Sequence, residues 1–399
     1  MVELFCSDDM RAKYAQEVST PYERQRPLEL RGIPDGVVFP LKLSESNEAE
    51  TNEFGGVCTA DLQFVQLSLT KRVSPPNFYC HFQDWFRGAS AAEAKNEIDY
   101  VDEEVVFLGA LPKHYGHFIL EGLARLWFYL KESNRKYRAV YISGQGEDRF
   151  LELFEFFGLN LVDLRKIERP TQFRTVIVPE QSIRLHDYFH RNYKLTIDRI
   201  KTSVDPIRND KVYFSKQERK NDRAIGEVSF EAVLAKNGYV IYFPERMSLR
   251  ETVSVLKGAR TFVASSGTNS HNAIFMEDGA VSICLNRSTH FHPVQIMIDR
   301  MRCLQAIYID VFLFSSRNNW SSGPFLLFPT RYFLAFLASR GYRYRVVHLY
   351  KQYPIYLARY TLRKARRALI DALRPIYAKA NSSRWFFARE LAAFARKYV

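Results

Sequence analysis

The chain has 399 residues, 47% of them hydrophobic, and a formal net charge of +13. That length and apolar content are enough for a large core shared between two domains, and they exclude a disordered tail or linker. Its five cysteines (Cys6, Cys58, Cys80, Cys284 and Cys303) are odd in number, far apart and without a Cys-x-x-Cys pair, so nothing suggests zinc or redox work and a reducing compartment fits best.

The opening "MVELFCSDDMRAKYAQEV" carries acids and no long apolar run after a basic lead, unlike a signal peptide. The longest apolar run, "PFLLFPTRYFLAFLAS", is broken by Pro329 and Arg331 and is short for a membrane span. These features predict a cytoplasmic protein. In the first half, "ADLQFVQLSL" alternates weakly and "EEVVFLGAL" is a buried-strand run. "RAVYISG", a helix around "EDRFLELFEFFGL" and "FRTVIVPE" then give a strand, helix, strand succession. The helical "YKLTIDRIKTSVDPIRNDK" runs into Pro206 and Asn209, which sets a domain boundary near residue 205.

The second half is more regular. Strands "KVYFS", "YVIYF", "TFVASS", "AVSICLN" and "QAIYIDV" alternate with helices "SFEAVLAKNG" and "SLRETVSVLKGA", the latter opened by a Ser248 and Glu251 capping box. Such alternation predicts a parallel, doubly wound sheet, whose ligands bind beyond the carboxyl ends of the strands. From Arg331 onward there are 16 Lys and Arg against 2 acids, so the first 330 residues are close to neutral. The cations of this tail interleave with aromatics, a composition suited to an anionic membrane surface. Nucleic acid is not expected as a partner, because the body lacks basic excess.

Three places carry candidate chemistry. In "HYGHFILEGLARLWFYL" the apolar positions Phe118, Leu123, Leu126 and Leu130 predict one buried helical face. His117, Glu121 and Arg125 follow at four-residue steps beside it. That polar row is open to three readings: a solvated face held by a Glu121–Arg125 pair, acid/base chemistry by a histidine next to a carboxylate, or a metal held by His114, His117 and Glu121. After "KVYFS" come Ser215, Lys216, Arg219, Lys220 and Arg223, a basic cluster able to neutralise a diphosphate. After "TFVASS" the turn "GTNSHNAIF" offers backbone N–H groups beside Ser266, Thr268 and Ser270, although it is neither a Gly-x-Gly-x-x-Gly nor a Walker-type loop. Glu245, ending "YFPE", is a candidate acceptor for sugar hydroxyls, and His290 and His292 in "STHFHP" face the same side.

Taken together, "HYGHFILEGLARLW" and "VYFSKQERKNDRAIGEVSFEAVLAKNGYVIYFPERMSLRETVSVLKGARTFVASSGTNSHNAIFM" resemble glycosyltransferase family sixty-one over roughly residues 100 to 290. His117, Glu121, Arg125 and Leu126 fall on the first motif; Ser215, Arg223, Glu227, Pro244, Glu245, Gly267, Asn272 and Phe275 follow in the family's order. The chain departs from the pattern in having Ser266 for a histidine before the turn glycine, Gly226 for an asparagine and Ala124 for a proline.

The resemblance implies an α/β, GT-B-like fold. Two doubly wound domains face each other: an acceptor-side domain (1–205) and a nucleotide-sugar-binding Rossmann-like domain (206–330), followed by the basic aromatic helical tail (331–399). It implies an inverting, metal-independent glycosyltransferase acting on a glycan or glycolipid acceptor in capsule or lipopolysaccharide synthesis, peripheral at the inner face of the cell membrane. His117, Glu121 and Arg125 are then the catalytic row, with His117 or Glu121 as the base. Ser215, Arg219, Arg223, Glu245, Ser266, Gly267, Thr268 and Asn272 are the donor-binding set. No metal or cofactor is expected beyond the nucleotide-sugar co-substrate, and the chain has no Asp-x-Asp pair. The alternatives are a metal-dependent hydrolase using His114, His117 and Glu121, and a non-catalytic peripheral membrane-binding protein.

Overall fold

The computed structural model describes residues 2–43, 53–71, 78–79, 97–143, 150–216, 224–314 and 323–382. It is an α/β structure with two main sheets. In the first, Leu164–Lys166, Arg138–Ile142, Asp99–Ala110 and Thr171–Pro179 run parallel. The rest of that sheet is antiparallel: Leu30–Pro34 and Val37–Leu43 lie end to end along Thr171–Pro179, and Glu53–Cys58 completes the edge. The first sheet is therefore mixed where a doubly wound parallel sheet was expected.

The second sheet is parallel throughout, in the order Val2–Phe5, Gln305–Asp310, Val281–Asn286, Thr261–Ser265, Lys211–Phe214, Val240–Tyr242. From Lys211–Phe214 the chain first moves outward to Val240–Tyr242, then crosses back to Thr261–Ser265 on the other side. The strand order thus reverses between Lys211–Phe214 and Thr261–Ser265, the switch point at which such sheets open a crevice. The strand Val2–Phe5 joins this sheet 304 residues from its partner register, Val2 lying opposite Ala306, and the Ser7 N–H and Oγ fasten it by donating to Asp310 Oδ2.

Both faces of the second sheet are buried, which explains the continuous apolar runs of its strands. Val212, Phe214, Phe262, Ala264 and Cys284 face a core shared with the first half, including Phe118, Tyr193 and Ile197. The alternating Tyr213, Val263, Ile283 and Ile307 pack under Phe333, Phe336 and Leu337 of the helix Arg331–Ser339. The start of the basic tail is therefore part of the body. Beyond it, Tyr353–Ser382 is one long helix whose Tyr353, Tyr356 and Tyr360 are buried against Ile225 and Leu326.

Three expected elements take other forms. The stretch expected as one helix from Tyr115 is a single α turn at Tyr115–His117, a π turn at Phe118–Gly122 and a 3-10 segment at Leu126–Leu130. Phe118, Ile119, Leu120, Glu121 and Gly122 are all buried, so the segment threads the core and does not lie on its surface. "EDRFLELFEFFGL" forms a 3-10 helix, Leu151–Phe157, closed by Gly158 in the left-handed region. "ADLQFVQLSL" forms only an isolated bridge, Cys58 to Phe64, and a 3-10 turn at Gln66–Ser68.

Candidate functional site

The polar row of the first motif is present but divided. His117 Nδ1 lies 2.8 Å from Glu121 Oε2; the glutamate side chain is fully buried while the imidazole is 40% exposed. The π turn sets this pairing, since it carries Glu121 inward while His117 stays at the rim. His114 sits nearby, its ring centroid 5.4 Å from that of His117. Arg125 is fully buried, and its Nη2 donates to the Leu67 and Leu69 carbonyl oxygens at 2.9 Å each. Gly109, with φ of +95°, makes room for it: a Cβ there would stand 2.8 Å from Arg125 Nη1. Arg125 thus clamps the segment before Thr70 against the central strand.

The same turn meets the second half of the chain. Tyr115 Oη donates to Asn272 Oδ1 at 2.6 Å, and a Cβ on Gly116 would stand 3.0 Å from Thr268. Asn272 in turn donates to the Thr268 and Asn269 carbonyls, and Asn269 Nδ2 reaches the Phe214 carbonyl at the end of the neighbouring strand. Gly267 adopts φ +105° and ψ −152°, which lets the chain leave Ser265 and enter the one-turn helix Thr268–His271. The structure therefore brings the His117–Glu121 pair against the turn at the switch point.

Histidines converge on this crevice. The centroids of His271 and His292 are 4.6 Å apart, and those of His290 and His292 are 5.7 Å apart. Burial, with smaller contributions from His117, Lys216, Arg287 and His186 that repel a proton, pushes the His271 imidazole down to about 3. His290 and His292 are lowered for the same leading reason. His271 is a neutral ring at neutral pH, and its buried Nε2 has no hydrogen-bond partner among the described residues. Among the described residues no group of three or more His, Cys, Asp or Glu could hold a metal ion, so the hydrolase reading of His114, His117 and Glu121 gains no support from their geometry.

The expected donor-binding set is only partly brought together. Ser266, Gly267, Thr268 and Asn272 form the turn described above. Ser215 is fully buried, with its Oγ donating to the Glu231 carboxylate. Glu245 is exposed in the 3-10 turn Pro244–Arg246, after the edge strand and one strand removed from the switch point. Arg219 and Arg223, with Lys220, lie outside the described residues. Lys216 is half-buried, and Arg287, which belongs to none of the sequence motifs, stands immediately after the strand Val281–Asn286. Its one signal was that position beyond a strand's carboxyl end. His186 joins the cluster from "SIRLHDYF", a stretch with no such signal.

No curated protein matches the chain. Residues 115–283 match the family model described as Glycosyltransferase 61, a span that contains both the His117–Glu121 pair and the Gly267 turn, and the match supports membership of that family of glycosyltransferases.

Proposed function

We propose that the protein is an inverting, metal-independent glycosyltransferase of GT-B type that moves a sugar from a nucleotide-sugar donor to a glycan or glycolipid acceptor in capsule or lipopolysaccharide synthesis. The observation that carries this reading is the junction of Tyr115–Asn272 and Gly116–Thr268, which sets the His117–Glu121 pair beside the crevice at the switch point. In the proposed reaction the buried Glu121 carboxylate accepts the Nδ1–H of His117, leaving Nε2 as the basic nitrogen. Nε2 takes the proton of an acceptor hydroxyl while that oxygen attacks the anomeric carbon from the face opposite the donor phosphate. The new carbon–oxygen bond forms as the bond to phosphate breaks, and the electron pair leaves on the nucleoside diphosphate. Positive side chains beyond the strands and the N–H groups of the Gly267 turn stabilise that charge.

The acceptor class points to a membrane surface, and the long helix supports it. Opposite its buried tyrosines, Ile355, Leu362 and Leu369 are 56%, 72% and 52% exposed. Their seven-residue spacing drifts only about 20° per step around a straight helix, so they form one apolar stripe. Arg359, Arg363 and Arg366 lie exposed to one side of it. Among the described residues no helix is long and apolar enough to cross a membrane. The reading is of a peripheral enzyme at the inner face of the cell membrane.

The test is a thermal-shift screen against nucleoside diphosphates and nucleotide sugars with and without chelator, followed by turnover with the donor it identifies. Turnover that survives chelator, and falls about 100-fold or more in His117→Ala and Glu121→Gln with donor affinity kept, is the expected result. A protein that binds no nucleotide, or a Glu121→Gln variant that turns over normally, would sink the mechanism.

A further inference from the structure

We infer that Arg287 is the residue that binds the donor diphosphate and steadies the departing nucleoside diphosphate, an inference that rests on the transferase reading above. Arg287 is the first residue past the carboxyl end of Val281–Asn286, the strand next to Thr261–Ser265 and its Gly267 turn. Side chains in that position face the crevice in which parallel sheets hold ligands.

Three observations place Arg287 there. The Arg287 backbone N–H donates to Ser266 Oγ at 3.4 Å. The guanidinium carbon lies 4.2 Å from the centroid of the Phe325 ring, so the ring covers the cation's neighbourhood on one side. Nη2 stands 2.9 Å from the place a Cβ on Gly267 would occupy, so the missing side chain is what allows the guanidinium to lie over the turn. A guanidinium is planar, and its fork of N–H donors matches two phosphate oxygens at once.

An independent observation points to a ligand in the same region. Among the described residues, Ser265 Oγ and His271 Nε2 have no hydrogen-bond partner, although the two residues are fully buried and 5% exposed. Such a buried polar atom is costly to leave unmet unless something oxygen-rich or protic meets it. Lys216 adds a second positive charge that, like Arg287, acts on His271. Two cations beside neutral imidazoles suit a diphosphate, whose charge rises as the anomeric carbon–oxygen bond breaks and the electron pair stays on phosphate. The acceptor's proton meanwhile goes to His117, so the two charge changes are handled on opposite sides of the sugar.

The experiment is calorimetric titration of the full chain, wild type, Arg287→Ala and Arg287→Lys, with the nucleoside diphosphate that shifts the wild type most and with the matching unphosphorylated nucleoside. Expected is at least a tenfold loss of diphosphate affinity in Arg287→Ala, a smaller loss in Arg287→Lys, and unchanged nucleoside binding in both. Cooperative melting checks that each variant is folded, and the Arg287→Lys comparison, which keeps the charge and removes the fork, decides the matter where Arg287→Ala does not fold. Variants that bind diphosphate as the wild type does overturn the role of Arg287 alone. A wild type that binds no nucleoside diphosphate overturns the transferase reading and this inference with it.

Discussion

Tyr115 and Asn272 are joined across 157 residues by a 2.6 Å hydrogen bond in which the phenol donates to the amide oxygen. Burial pushes the Tyr115 phenol well up, so it stays protonated and a donor throughout the physiological range. The bond ties the turn that bears His117 to the helical turn after Gly267.

Removing that donor in Tyr115→Phe leaves the Asn272 amide oxygen, in a residue only 1% exposed, without this partner. An unmet buried acceptor costs about 1–3 kcal/mol, which is the expected loss in urea unfolding. Turnover should fall as well, because the proposed base and the crevice are positioned by the same bond. Unchanged stability together with unchanged turnover would show that the two halves are held together elsewhere.

The buried histidine makes a signed prediction about pH. His271 ionises near its ordinary 6.5 in the unfolded chain and near about 3 in the folded protein. Above pH 6.5 neither state holds the proton and the full stability is present. Between 6.5 and about 3 the unfolded chain gains a proton that the folded one refuses, so stability falls as pH falls, by up to about 1.4 kcal/mol per pH unit. Buried Asp299, pushed up to about 7 by burial against the lowering hydrogen bonds of Tyr308 and Gln295, acts in the opposite sense over part of that range. The measurement is therefore the difference between wild type and His271→Asn in denaturation midpoints from pH 7.5 to 5. The wild type should lose more stability than the variant on acidification, and parallel curves would refute the assignment.

How far these features could be read from the sequence depends on how local their causes are. The strands from Lys211 to Asp310 were legible because burial on both faces writes an uninterrupted apolar run. The His117–Glu121 pair was legible because a four-residue step survives the change from an α to a π turn. The partners of Arg125 were not legible, since the Leu67 and Leu69 carbonyls lie 58 and 56 residues away. Nor was the edge strand "VELF", whose register is set by Ala306 at the far end of the chain. Arg287 was hidden for another reason: a single cation after a strand resembles any solvated residue until Phe325 and Gly267 are seen around it.

The family departure at Gly226 has a structural cause that can be tested by reversing it. Gly226 has φ of +97°, and a Cβ there would stand 2.5 Å from the Leu327 carbonyl oxygen, a backbone atom fixed by the pairing of Ala224–Ile225 with Phe325–Leu326. Restoring the asparagine usual in the family should therefore destabilise this chain, by roughly 2–4 kcal/mol from the clash and the strained backbone together. Denaturation of Gly226→Asn measures it. A variant as stable as the wild type would mean that the strand pair gives way at no cost.

The long helix separates its two faces cleanly enough for one experiment to tell them apart. Tyr353, Tyr356 and Tyr360 are buried, whereas Ile355, Leu362 and Leu369 are more than half exposed, so replacing the latter three with glutamine removes little packing and should leave the melting temperature unchanged. Fully burying one such side chain is worth about 1.5–3 kcal/mol, and each nearby cation adds about 1 kcal/mol at an anionic surface. The wild type should accordingly sediment with phosphatidylglycerol vesicles, less so with purely zwitterionic ones, and the triple glutamine variant should lose at least tenfold in vesicle affinity. Replacing Arg359, Arg363 and Arg366 with glutamine should remove the preference for anionic lipid and the salt dependence, while leaving the apolar contribution. A triple apolar variant that still sediments as the wild type does would show that this helix does not carry membrane binding, and the proposed peripheral location would then need another surface.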